Sequence, residues 1–143
     1  MKPEDHPIHT RYPKGIEGQK QILPLIELHI QEPVSETSYV FDTMDASSDS
    51  YWIELKRRLL PYHWSDEFIE REGWLIPAVK ILRARCETKQ TRFYYFWDSD
   101  RSLWYWDFSE EELKDCVCKT PSFHRDFQPH YYIKSELWKQ VVY

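Results

Sequence analysis

Glycine, cysteine and long apolar runs are scarce in this sequence of 143 residues, and each shortage excludes a class of protein. Three glycines leave no glycine-rich loop to hold the phosphates of a nucleotide. Three cysteines, an odd number, favour a reducing compartment over a disulfide framework. No apolar stretch reaches the roughly 20 residues of a membrane-spanning helix, and residues 1–15 lack the apolar segment of a signal peptide. We therefore expect a soluble cytoplasmic protein without a membrane partner.

Aromatic residues, in contrast, are abundant. They make up 17% of the chain, with seven Trp and ten Tyr, and each buries a large apolar area. A chain of this length and composition predicts one domain with a substantial core. Residues 1–20 contain three of the nine prolines and no apolar period. We therefore predict a flexible or extended arm over residues 1–20 and a single domain over residues 21–143.

The patterning predicts an α+β fold. Three β-rich runs follow one another, over Ala78–Glu87, Arg92–Trp97 and Ser102–Phe108, and turn-like segments separate them. They indicate an antiparallel β-meander of about four to five strands with short helices packed mainly on one face. The other predicted strands are Gln21–Gln31 and His130–Lys134. The predicted helices are Ser50–Leu60, Ser65–Gly73, one that begins at Ser109 with a capping box to Glu112 and continues to Val117, and one that begins at Ser135.

The meander has apolar residues on both of its faces, because side chains alternate along a strand. Either helices cover both faces and the aromatic residues are core, or one face is left open to bind a partner. The short predicted helices favour an open face, and arginines beside aromatic rings are typical of binding surfaces. The predicted binding residues are Arg83, Arg85, Arg92, Tyr94, Trp97, Trp104 and Trp106.

The function we predict from this face is that of a small non-catalytic module, a protein-binding or adaptor domain. Its partner would be another protein, or a second copy of the chain bound through the sheet. The alternative is a single-stranded nucleic-acid binding protein, in which bases stack on the aromatic rings beside the arginines. The net charge of −5 argues against broad binding along a duplex but allows a local site.

A small metal-dependent hydrolase is the third hypothesis. Asp98, Asp100 and Asp107 could gather a metal ion at one end of the meander, although aspartate is also a common turn residue. The acids of the preceding loop, Asp42, Asp45 and Asp49, are expected to be solvated. Catalytic residues are otherwise not indicated by spacing.

A separate hypothesis concerns zinc. Cys116, Cys118, His124 and His130 are closely spaced and all are zinc-ligand types. Their spacing differs from the usual C-x2-C and H-x3-H pairs, so the alternative is a half-buried Cys116 with surface histidines. Apart from this zinc hypothesis, we expect no cofactor.

Overall fold

The computed structural model describes residues 21–37, 44–58, 74–120 and 128–142. Within these ranges the chain forms nine strands in two sheets together with short helices, so the α+β class is confirmed. None of the helices in the described ranges is long and apolar enough to cross a membrane. The predicted arm over residues 1–20 and the predicted helix Ser65–Gly73 lie outside the described residues, and the arm stays a prediction.

The elements are numbered here in chain order. The helices are α1, whose described part covers residues 21–30, α2 (Ala78–Cys86) and α3 (Glu110–Leu113), with a 3₁₀ turn at Ser135–Leu137. The strands are β1 (Ser35–Glu36), β2 (Ala46–Ser47), β3 (Tyr51–Arg58), β4 (Trp74–Pro77), β5 (Gln90–Trp97), β6 (Ser102–Asp107), β7 (Val117–Lys119), β8 (His130–Ile133) and β9 (Lys139–Gln140).

The larger sheet has six strands in the order β1-β2-β3-β5-β6-β9, and β4-β8-β7 form a second, antiparallel sheet. In the larger sheet β3 and β5 are parallel, from Tyr51 opposite Gln90 to Arg58 opposite Trp97. Parallel neighbours need a crossover connection, and β4 and α2 lie between them in the chain. The predicted meander is therefore correct for β5 and β6, but the sheet is mixed and the strands number more than four to five.

The segment Gln21–Gln31, predicted as a strand, is helical over 21–30. Its buried residues are Ile22, Leu23 and Ile26, which share one face of a helix, while Leu28 is exposed. The alternation of apolar residues favoured a strand, but the helical spacing places three apolar side chains on the larger sheet.

Two predicted elements are wrong in opposite directions. Ser50–Leu60, predicted as a helix, contains a strand, and Ala78–Glu87, predicted as a strand, contains a helix. The former contains β3, in which Ile53 and Leu55 are buried in alternation with charged residues, and pairing with β5 fixes the extended form. The latter contains α2, which buries Ile81 and Ala84, three positions apart, as one helical face.

Elsewhere the predicted elements are close to those observed. The strands β5, β6 and β8 are confirmed, and Ser109 caps α3, since its Oγ accepts a hydrogen bond from the amide of Glu112 at 3.3 Å. However, α3 ends at Leu113, and β7 begins at Val117. The helix predicted from Ser135 is a single 3₁₀ turn followed by β9.

Both faces of the larger sheet are covered by the chain. On one face α1 packs against Ile53, Tyr94 and Phe96. On the other face α2, α3 and the second sheet pack against the opposite aromatic row of β5 and β6. The larger sheet is thus an interior layer, and the second sheet stands beside β3 and β5 with a cleft between them.

Candidate active site

The aromatic residues predicted to bind a partner are part of the core. Tyr94, Trp97 and Trp106 are 1%, 0% and 2% exposed, and Trp104 packs partly buried against the same cluster. The ring of Trp74, from β4, lies 5.4 Å from that of Trp97 and 5.7 Å from that of Trp104. These side chains therefore contact other parts of the chain, and a binding role for them stays a prediction.

Arg92, predicted to bind together with the aromatic residues, is held inside the protein. Its guanidinium lies 4.2 Å and 4.4 Å from the ring centres of Tyr51 and Tyr105 and donates to both carboxylate oxygens of Asp107, at 2.6 and 3.0 Å. Burial alone would lower the pKa of Arg92, but these hydrogen bonds keep it above its ordinary value. Burial acts in the opposite direction on a phenol, and it raises the pKa of Tyr94 to about 12. The polar groups of this cluster hydrogen-bond to one another, and the cluster joins β3, β5 and β6.

The two remaining arginines are exposed on α2, away from the aromatic rows. Arg83 pairs with Glu87 one turn later, at 2.6 Å, and Arg85 pairs with Glu110 of α3. The structure therefore does not bring the three predicted arginines together on one surface. Their binding role also stays a prediction.

The predicted zinc ligands do not converge in the part of the chain that the structure describes. The β7–β8 register directs Cys118 and His130 to opposite faces of the second sheet, and Nδ1 of His130 lies 2.7 Å from the carbonyl oxygen of Gln128. His124 lies outside the described residues. No group of three His, Cys, Asp or Glu side chains suited to a metal is found among the described residues. The cysteines are free thiols, and zinc binding stays a prediction.

The three carboxylates predicted to share one end of the meander lie at opposite ends of the β5–β6 hairpin, with Asp107 opposite Arg92 and the other two at the turn. Asp98 pairs with Arg57 at 2.8 Å, and Asp100 accepts hydrogen bonds from the amide and hydroxyl of Ser102 in the β5–β6 turn. Asp107 is the partner of the buried arginine in β5. Each of the three has a different partner, so a shared metal site there has no geometric support.

A different pair of carboxylates meets at the edge of the cleft. Asp45, the residue before β2, lies against β3: its amide donates to the carbonyl oxygen of Ile53 at 3.0 Å, and its side chain interacts with that of Glu54. Asp45 is half-buried, and its Oδ2 accepts a hydrogen bond from the amide of Leu55 at 2.7 Å. The expectation that Asp45 is solvated is therefore wrong, because strand pairing draws it against β3.

The neighbours of Glu54 and its burial change the pKa of its carboxyl group. Burial, and then the negative charge of Asp45, raise the pKa of Glu54 well above its usual range. Lys80 of α2 opposes them, since its Nζ lies 3.2 Å from Oε2 of Glu54. The side chains of Glu54 and Lys80 are only 18% and 19% exposed. Asp45 and Glu54 are thus neighbouring carboxylates, each of which disfavours the ionisation of the other, and a cation bound between them would favour the ionised form of both.

Glu54, Lys56 and Arg58 project from the same face of β3, because side chains alternate along the strand. They form one side of a cleft of about 300 Å³ between the two sheets. The rest of the lining comes from β4, β5 and the start of β8: Leu75, Ile76, Pro77, Phe93, Tyr94, Tyr95, Gln128 and His130. The cleft thus combines a carboxylate, two basic side chains and an apolar wall.

The sequence did not lead to this site, because the segment that forms β3 was predicted to be a helix. In a helix, Lys56 would point away from Glu54 and Arg58, because residues two positions apart do not share a helical face. In a strand they share one face, and the alternation of Ile53 and Leu55 with Glu54 and Lys56 was the signal that could have revealed it.

Comparison with known proteins supports the fold. No protein-family model and no curated protein matches the chain by sequence. Among solved structures, the fold is similar to that of a nuclease from a fusselovirus, with a TM-score of 0.53 and 16% sequence identity. The match covers 88% of this chain and 83% of the viral protein. The similar structure is that of a nuclease and not of a binding module, and this finding corrects the prediction of a non-catalytic adaptor.

Proposed function

We propose that this protein is a nuclease that depends on a divalent cation, with Asp45 and Glu54 as the carboxylates that hold the cation. The observation that carries the proposal is the meeting of these two side chains, where Asp45 hydrogen-bonds to β3, at the edge of a cleft that Lys56 and Arg58 also line. The likeness of the fold to a viral nuclease supports it.

The carboxylate pair fits a hard cation such as Mg²⁺. This ion commonly uses one or two protein carboxylates and completes its shell with water and substrate phosphate oxygens. Two carboxylates therefore suffice, although the described residues include no third ligand of this kind nearby. Burial, and then the charge of Asp45, disfavour the ionisation of Glu54 and raise its pKa, and a cation between the two carboxylates would favour the ionised form. When bound, the cation supplies Lewis-acid stabilisation of the charge on the phosphoryl group.

Lys56 and Lys80 have different roles in this proposal. During hydrolysis the oxygen of a water molecule forms a bond to phosphorus and gives up a proton to solvent, while the bond from phosphorus to one ester oxygen breaks and that oxygen takes up a proton. Negative charge is spread over the phosphoryl oxygens as this happens. Lys56 lies two residues after Glu54 on the same face, and its ammonium group stabilises that charge. Lys80 contacts Glu54 and orients its carboxylate, so we class it as a positioning residue.

The test is cleavage of fluorescently labelled DNA and RNA by the purified protein, with Mg²⁺ and with a chelator. We expect cleavage with Mg²⁺ only, and a loss of about 100-fold or more in Asp45→Asn, Glu54→Gln and Lys56→Met. The matched control is Glu111→Gln, since Glu111 is an exposed glutamate on α3 paired with a neighbouring lysine. Cleavage by Glu54→Gln at the rate of the unaltered protein, or cleavage that persists in chelator, would contradict the proposal.

A further inference from the structure

The shape of the cleft bears on which nucleic acid the site accepts. We infer that the cleft between the two sheets binds an unpaired strand, one nucleotide of which enters beside Glu54, and that the protein cleaves single-stranded nucleic acid in preference to duplex. This inference rests on the proposed nuclease function.

The first reason is size. A volume of about 300 Å³ lies at the lower end of the roughly 300–1,000 Å³ of small-molecule sites. Such a volume suits one nucleotide, whereas a base pair with its two backbones is much larger. The phosphate that reacts must approach Glu54, whose side chain is mostly buried beside the cleft. A single strand can enter there, but a duplex would have to open first.

The second reason is that basic and apolar side chains lie on different sides of the cleft. Lys56 and Arg58 project from β3, where they complement the charge of a phosphate backbone. The guanidinium of Arg58 lies 5.7 Å from the ring centre of Tyr95, which fixes its position on the cleft side of the sheet. Leu75 and Pro77 supply apolar wall from β4, against which the face of a base can pack. A basic groove with aromatic rings beside it is the arrangement that recognises an unpaired strand, and Phe93 and Tyr95 are among the residues that line this cleft.

The third reason is the charge of the whole chain. Binding along a duplex depends on many contacts between phosphates and basic side chains. This chain has a formal charge of −5, and its exposed Arg83 and Arg85 are paired with glutamates. A local contact of one or two phosphates inside the cleft is compatible with this charge, whereas an extended duplex footprint is not.

The experiment compares a labelled oligothymidine strand with a blunt duplex of the same length. Binding is measured by fluorescence anisotropy in chelator, and cleavage is measured with Mg²⁺. The test variant is Gln128→Trp. Gln128 is exposed at the rim of the cleft, so the bulky indole of a tryptophan there fills the cleft without altering the core. The control variant is Gln140→Trp, an equally exposed glutamine on β9 at the far edge of the sheet. Thermal unfolding of each variant checks that the fold is kept.

We expect the single strand to bind and to be cleaved at least about tenfold better than the duplex. In Gln128→Trp, the affinity for oligothymidine and its rate of cleavage should each fall about tenfold, which is equivalent to the loss of one stacked base. Gln140→Trp should match the unaltered protein. Equal binding and cleavage of duplex, or oligothymidine binding unchanged by Gln128→Trp, would overturn the inference while leaving the nuclease proposal intact. Binding with these properties but without any cleavage would support the strand site and refute the nuclease proposal. Failure of oligothymidine to bind would overturn the inference.

Discussion

The ion pair between Lys80 and Glu54 offers the sharpest test of the site's electrostatics. The perturbation is a double-mutant cycle of Lys80→Met, Glu54→Gln and both changes together, in protein without added metal. Methionine keeps the length of the lysine stem and suits a helix, and glutamine keeps the shape of the glutamate. The cycle isolates the pairwise energy from other contacts that each side chain makes.

The magnitude follows from the distance and the burial. Two unit charges 3.2 Å apart attract by about 5 kcal/mol at the effective dielectric constant of about 20 that suits protein sites. Removing two mostly buried charges from water offsets part of this attraction, so we expect a coupling energy of about 1–3 kcal/mol. Urea unfolding measures it as the free energy of unfolding of each of the four proteins.

The coupling energy between Lys80 and Glu54 should also change with pH in a direction that can be stated in advance. Because the pKa of Glu54 is raised in the folded protein, its protonated form adds stability at low pH, and this contribution is lost as pH rises through the folded pKa. The coupling to Lys80 should do the opposite, since only the ionised carboxylate attracts the ammonium group. Above the folded pKa, Glu54→Gln should therefore be more stable than expected from loss of the ion pair alone. A coupling energy near zero at every pH would refute this account of the site.

Other predictions concern the cation, the core and a helix cap. Affinity for Mg²⁺, measured by calorimetry, should rise with pH as Glu54 loses its proton, because the cation competes with that proton; a flat profile would argue against Glu54 as a ligand. Trp97→Ala should cost about 3–5 kcal/mol in urea unfolding, and the partly buried Trp104 should cost less; equal small losses would mean that neither ring is core. Ser109→Ala should cost about 1 kcal/mol, while Ser109→Thr should retain most of the cap; no difference between the two would argue against the capping bond.

The sequence predicted elements well where local signals and tertiary packing agree. The β5–β6 hairpin has aromatic strands on either side of a turn, and Asp100 stabilises that turn through Ser102. The Ser109 cap similarly works within a few residues. Such features depend on neighbours in the chain, so the sequence alone contains most of what determines them.

The prediction was wrong where distant pairing decides the structure. Trp52, Leu55 and Leu59 have a helix-like spacing, yet pairing with β5, at a separation of 39 positions along the chain, makes Tyr51–Arg58 a strand. Helical propensity is too weak to resist this, being well under 1 kcal/mol per residue for most residue types. The candidate site depends on the same pairing, since Glu54 shares a face with Lys56 only in an extended strand.

The parallel pairing of β3 with β5 also has a consequence for how the protein folds. The β5–β6 hairpin closes a short loop, whereas β3 must find β5 across a much longer segment that contains β4 and α2. Long-range pairings of this kind form slowly, because the entropy of closing the loop is lost before contacts compensate it. The strand that carries Glu54 therefore joins the hairpin late, and a partly folded chain would hold the hairpin without the carboxylate site. Refolding followed by hydrogen exchange should accordingly protect the amides of β5 and β6 before those of β3, with competence to bind Mg²⁺ emerging in the later phase.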